Sequence, residues 1–180
     1  MKTYIALLRG INVGGHRKVP MAELKKLMAD TGFENVKTYI QSGNIVFQTK
    51  KENPKELEII IYEAIIGKFG FEASVIVKTR SQLQKIFDDC PFSEQKKMDS
   101  YFAMFSQIPE TNLVKEASEK TYENEEYEII NDCLYLYCAN GYGKAKFSLN
   151  YFEKKLNVSA TSRNYKTMLK LLSLSKEMED

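Results

Sequence analysis

Tyr4-Ile5-Ala6-Leu7-Leu8 is an unbroken apolar run, closed at once by Arg9 and a glycine-rich stretch from Gly10 to Val19. A strand half open to water would alternate polar and apolar residues, and an amphipathic helix would place polar ones within the run. Consecutive apolar residues over so short a length specify a strand covered on both faces. The fold therefore needs a sheet with packing partners above and below. Pro20 sits where a helix begins, and Met21, Leu24, Leu27 and Met28 recur at helical spacing until Gly32. Val36–Ile40 and Ile45–Thr49 read as strands around the turn Gln41-Ser42-Gly43-Asn44. Pro54 opens a second helix with Leu57, Ile60, Ile61, Ala64, Ile65 and Phe69 on its apolar stripe and Gly70 at its end, and Ala73–Val77 is a further strand. This β-α-β-β-α-β order predicts a ferredoxin-like subdomain over residues 1–78, with both helices on one face of an antiparallel sheet. The other face is left for the rest of the chain to cover.

Residues 79–180 predict a second, smaller α+β subdomain packed on the first, so the fold class is α+β. Gln82–Cys90 reads as a helix stopped by Pro91, Tyr101–Phe105 as a strand, and the residues after Pro109 as a short helix. Glu125–Ile130 and Cys133–Cys138 flank Asn131-Asp132 as a hairpin, Asn140–Gly143 is a loop, and helices are expected at 145–156 and 164–174. No repeat of fixed period is visible.

Composition agrees with a packed protein: of 180 residues, 43% are apolar and 28% charged. No apolar run approaches the roughly 20 residues of a membrane-spanning helix, and Arg9 interrupts any signal-peptide core. Three widely spaced cysteines read as reduced thiols of a cytoplasmic protein. The formal net charge of +2 is a remainder of segregated parts: residues 1–50 carry +5, 51–109 −1, 110–132 −6 and 133–180 +4. Such segregation arises from solvated faces, and it also marks an anion-binding side. A pI near 8.3 falls short of the usual footprint of a double-stranded nucleic-acid binder.

Three segments carry candidate chemistry. The first is Arg9-Gly10-Ile11-Asn12-Val13-Gly14-Gly15-His16-Arg17-Lys18, between a strand and a helix. Gly10 and Gly15 have the spacing of a phosphate-binding P-loop, but His16 replaces its lysine and Arg17 its Mg²⁺-binding hydroxyl. The dinucleotide-binding glycine spacing is absent as well. What survives is generic: glycines expose backbone N–H groups ahead of a helix, with cations beside them. The second segment is Gln41–Asn44, where Ser42 and Asn44 either satisfy the turn or offer neutral donors to a ligand. The third is Ala160–Thr167, where Ser162 reads as a helix N-cap. Arg163 and Lys166 there oppose the positive end of a helix dipole, and an anion would relieve that conflict.

Catalytic signatures are sparse. A single histidine excludes a His-based metal site, and neither CxxC nor HExxH occurs, so no metal and no cofactor is expected. Cys90 before Pro91 reads as a buried thiol rather than a nucleophile. Tyr4 and Phe47 occupy strand positions where RNA-binding ferredoxin-like domains stack bases, but the aromatic set is incomplete and both read as core.

The long motifs Leu7-Leu8-Arg9-Gly10-Ile11-Asn12-Val13-Gly14-Gly15 and Thr38-Tyr39-Ile40-Gln41-Ser42-Gly43-Asn44-Ile45-Val46-Phe47 closely resemble the signature of DUF1697, a family of uncharacterised bacterial proteins. Ala160–Thr167 is similar to that family's Thr-x-Arg-Asn-Trp-x-Thr segment, with Tyr165 at the tryptophan position. The resemblance implies an α+β fold with a ferredoxin-like part and no established activity. Its motifs fall on the same three segments.

The leading expectation is a protein that binds an anionic or phosphorylated small molecule, or a nucleotide. Its candidate ligand-binding residues are Arg9, Gly10, Asn12, Gly14, Gly15, His16, Arg17 and Lys18, the turn's Ser42 and Asn44, and Arg163, Asn164 and Lys166. The Arg9–Lys18 loop and the Arg163–Lys166 segment are expected to converge on that ligand. Two alternatives stay open. One is an enzyme using the same cleft, with Ser42, Asn44 or His16 as polar or proton-transfer groups. The other is an interaction module whose acidic residues 110–132 meet a basic partner or a second copy.

Overall fold

In the computed structural model, which describes residues 1–179, the apolar run becomes β1 (Lys2–Leu8), with Thr3 through Leu8 all buried. Two antiparallel neighbours flank it, β3 (Asn44–Thr49) and β4 (Val75–Thr79), and β2 (Glu34–Tyr39) joins β3, giving the order β2-β3-β1-β4. Tyr4, Ala6 and Leu8 share one face with Ile45, Phe47 and Val77. Against it pack α1 (Met21–Asp30), through Leu24 and Met28, and α2 (Pro54–Phe69), through Leu57, Ile61 and Ile65. Asn53 caps α2 by accepting the Lys55 N–H at 3.0 Å, and Gly70 ends it in a left-handed conformation. On the opposite face Ile5 and Leu7 are equally buried, as a two-sided strand requires. The end of the chain contributes to that side. Gln48, directly across from Thr3, donates its amide to the Met178 carbonyl at 2.7 Å.

The second sheet consists of β5 (Ser100–Phe105), β6 (Glu125–Ile130), β7 (Cys133–Cys138) and β8 (Ala160–Asn164), all antiparallel, in the order β6-β7-β5-β8. The helices α3 (Arg80–Asp88) and α4 (Glu94–Met98) precede it, α5 (Thr111–Ala117) and α6 (Leu149–Leu156) lie within it, and α7 (Tyr165–Lys176) follows. Its course β5-α5-β6-β7-α6-β8 has the connectivity and strand order of β1-α1-β2-β3-α2-β4, a repeat of topology that no sequence period announces. The chain divides into two compact units, one of Met1–Gln84 together with Lys170 onward, the other Lys85–Leu169.

Two local expectations are corrected, and one short helix is added. Ala160–Asn164 is a strand paired with β5, so Ser162 is not a helix cap. Asn164 takes that part, accepting the Thr167 N–H at 2.9 Å ahead of α7. The helix expected from residue 145 starts at Leu149, because Tyr142–Lys144 form a separate 3-10 turn behind Gly141. The addition is the short α4, capped by Ser93. Among the described residues no helix is long and apolar enough to cross a membrane.

Both faces of the second sheet are apolar. Ala103, Phe105, Leu134 and Leu136 pack with Ala117, Phe152 and Leu156, while Phe102 on the other face meets Phe87 and Tyr135, each at a ring separation of 5.7 Å. Tyr135 donates its hydroxyl to the Ile86 carbonyl at 2.8 Å, and burial pushes its pKa far up. Burial raises Tyr127 to about 12. Unfolded tyrosines ionise near pH 10, so above that pH the unfolded state sheds protons that the folded state keeps. The contribution of these tyrosines is complete below pH 10 and falls as pH rises beyond it. Urea midpoints should drop between pH 9.5 and pH 11; a constant midpoint over that interval would contradict this assignment.

Candidate functional site

The loop between β1 and α1 bends through left-handed backbone at Gly10, Asn12, Gly14, Gly15 and Arg17. Asn12 holds it together. Its Oδ1 accepts the Val19 N–H at 2.8 Å, and its Nδ2 donates to the carbonyls of Val19 and Gln41 at 3.0 and 2.9 Å. The last of these bonds ties the loop to the β2–β3 turn. Leu8 N–H donates to the Gly43 carbonyl at 2.8 Å, and Arg9 N–H donates to the Ser74 carbonyl at 3.0 Å. Three chain segments thus converge at the C-terminal end of β1.

Beside the β1–α1 loop and the residues before β4 lies a cleft of about 480 Å³ lined by Arg9, Gly10, Arg17, Tyr62, Glu72 and Ser74. The Arg17 guanidinium lies 5.9 Å from the Phe71 ring centroid, which restricts where its charge can point. Tyr62 donates to the Glu72 carboxylate; desolvation first and that bond second raise its pKa. The cleft therefore presents two guanidiniums against one carboxylate that is already engaged. A smaller recess of about 330 Å³ beside the same loop is lined by residues including Asn12, Gly15, Lys18 and Gln41.

The structure brings the first two sequence segments together and gives their residues different parts. Arg9, Gly10 and Arg17 line the larger cleft, and Asn12, Gly15 and Lys18 the smaller. Gly14 and His16 stand exposed at the loop tip, where His16 N–H closes a turn on the Val13 carbonyl at 3.0 Å. Asn44 is wholly buried and donates to the Tyr39 carbonyl and to Ser42 Oγ at 3.0 and 2.9 Å, which holds the turn in place. Arg163, Asn164 and Lys166 belong to the other unit. Arg163 is buried in β8 and donates to Thr161 Oγ1 and to the Ser162 carbonyl, both at 2.8 Å; burial lowers its pKa to about 10.

Sequence reasoning missed Tyr62, Glu72 and Ser74. The signal lay in the topology: β4 pairs antiparallel with β1, so Leu8 stands opposite Val75 and the residues before β4 must flank Arg9.

Fold and cleft define an α+β protein of two four-stranded antiparallel sheets, with a cationic cleft at the glycine-rich end of β1. The chain belongs to the family described as "Protein of unknown function (DUF1697)", whose model matches residues 1–135 and so takes in both N-terminal motifs. The solved structure of "conserved bacterial protein SP0830 from Streptococcus pneumoniae" is similar at 23% identity and a TM-score of 0.71. The match covers 97% of this chain and 98% of that one. At that identity the likeness shows the fold alone. No curated protein matches the chain.

Proposed function

We propose that this protein binds an anionic small molecule, phosphorylated compounds and nucleotides included, in the cleft at the end of β1. The observation that carries the reading is that Arg9 and Arg17 line one cleft together with Gly10. Paired guanidiniums suit phosphate and carboxylate geometry. The scaffold is read as ferredoxin-like, supported by the β-α-β-β-α-β course and the order β2-β3-β1-β4. Three unbridged cysteines support a reducing, cytoplasmic setting. For Arg163, with its bonds inside β8, the role proposed is to fix that strand.

Thermal unfolding with phosphate, sulfate, pyrophosphate and a sugar phosphate tests the reading. A ligand at one hundred times its Kd adds about 2.7 kcal/mol, which raises Tm by about 5–10 °C in a chain of this size. The Arg9→Ala/Arg17→Ala double variant should keep its own cooperative transition and lose that rise. Equal shifts in wild type and double variant would end the proposal.

A further inference from the structure

The second unit holds a cleft of different chemistry. Antiparallel register places Ser100 opposite Tyr137 and Tyr101 opposite Asn164, so the start of β5 and the ends of β7 and β8 meet at one edge of the sheet. The 3-10 turn Tyr142–Lys144 and the first residues of α7 close around that edge. The cleft has a volume of about 420 Å³, within the range of about 300–1,000 Å³ typical of small-molecule sites. Four of the chain's eleven tyrosines line it: Tyr101, Tyr137, Tyr142 and Tyr165. Tyr101 and Tyr142 lie with ring centroids 4.4 Å apart, inclined by 31°. Tyr142 is nonetheless 43% exposed, a large ring kept at the surface of a turn.

The rest of the lining limits the ligand. Asp99, Asn164 and Lys166 are exposed along the cleft and offer both acceptors and donors. One carboxylate and one ammonium give no net attraction for a bare phosphate, and the polar lining disfavours a purely apolar guest. Aromatic walls with a mixed donor and acceptor rim suit a flat ring that stacks on its face and hydrogen-bonds at its edge.

We propose that this cleft is a second binding site, specific for a planar heteroaromatic ring with hydrogen-bonding edges, of which nucleosides are the chemical class to test. It is independent of the Arg9–Arg17 cleft, which lies in the other unit and selects for charge.

The experiment is saturation-transfer NMR on the full-length protein with adenosine, guanosine, cytidine and uridine at millimolar concentration, followed by affinity titration. At least one nucleoside should receive saturation at its base protons. Tyr142→Ala should weaken its binding about tenfold, because one stacking surface is lost, with Tm unchanged. Tyr142→Phe keeps the ring and should retain binding. The Arg9→Ala/Arg17→Ala variant should bind the nucleoside as wild type does, which separates failure of this site from failure of the anion site. No saturation with any of the four, equal affinity in Tyr142→Ala, or loss of nucleoside binding in the arginine variant would each overturn the proposal.

Discussion

Gly43→Ala is expected to destabilise the protein by about 3 kcal/mol, through two effects that act at one atom. Gly43 has a φ of +78°, where a side chain costs about 1 kcal/mol. Its added Cβ would also fall 2.6 Å from Leu8 Cβ and 3.1 Å from Ile11 Cδ1. Leu8 cannot move aside cheaply, being buried in a central strand whose own N–H is held by the Gly43 carbonyl. Overpacking of such a site adds about 1–3 kcal/mol. Gly70 isolates the first effect, because its φ is +76° while nothing lies within 4 Å of its added Cβ. Gly70→Ala should therefore cost only about 1 kcal/mol in urea unfolding. Equal losses at the two positions would mean that the β1 end and the β2–β3 turn are not packed as described.

The molecule is unevenly legible in its sequence. β1 was readable because five consecutive apolar residues admit few alternatives. The hairpin β6–β7 was readable with its bounds, since its strands flank a clear Asn-Asp turn. β8 was not. Ala160-Thr161-Ser162-Arg163-Asn164 has no apolar alternation, and its strand state comes from pairing with β5, a tertiary effect that overrides local preference. The repeated topology was hidden for a related reason: strand order is written in long-range pairings, and these leave no period in the sequence. At the site, the glycines signalled the loop, yet the structural work of Asn12 and Asn44 depends on carbonyls of Gln41 and Tyr39, which only the folded turn brings near. Arg163 illustrates the converse. The sequence shows only a cation beside a helix start; that its guanidinium bonds Thr161 and Ser162 depends on the strand that precedes α7.

Phe102→Ala is expected to destabilise the second unit by about 4 kcal/mol. Phe102 is wholly buried in β5, between β7 and β8, with its ring beside Phe87 and edge-on to Tyr135. The penalty for removing a ring depends on how far its neighbours can collapse into the space. Here they are held from behind. Tyr135 is anchored through its hydroxyl to the Ile86 carbonyl. Phe87 is fixed between the Tyr165 ring at 5.4 Å and the Lys97 ammonium at 4.2 Å. The cavity should stay open, which keeps the cost above the low end of the usual range for a phenylalanine. Phe102→Leu refills most of the volume and should cost less than half as much. Native-state hydrogen exchange supplies the local readout: amides of β5 and β7 that open only on unfolding of the unit should exchange about a thousandfold faster in the alanine variant. If the alanine variant loses less than about 2 kcal/mol, the walls around Phe102 collapse, and the anchoring of Tyr135 and Phe87 is weaker than their contacts require.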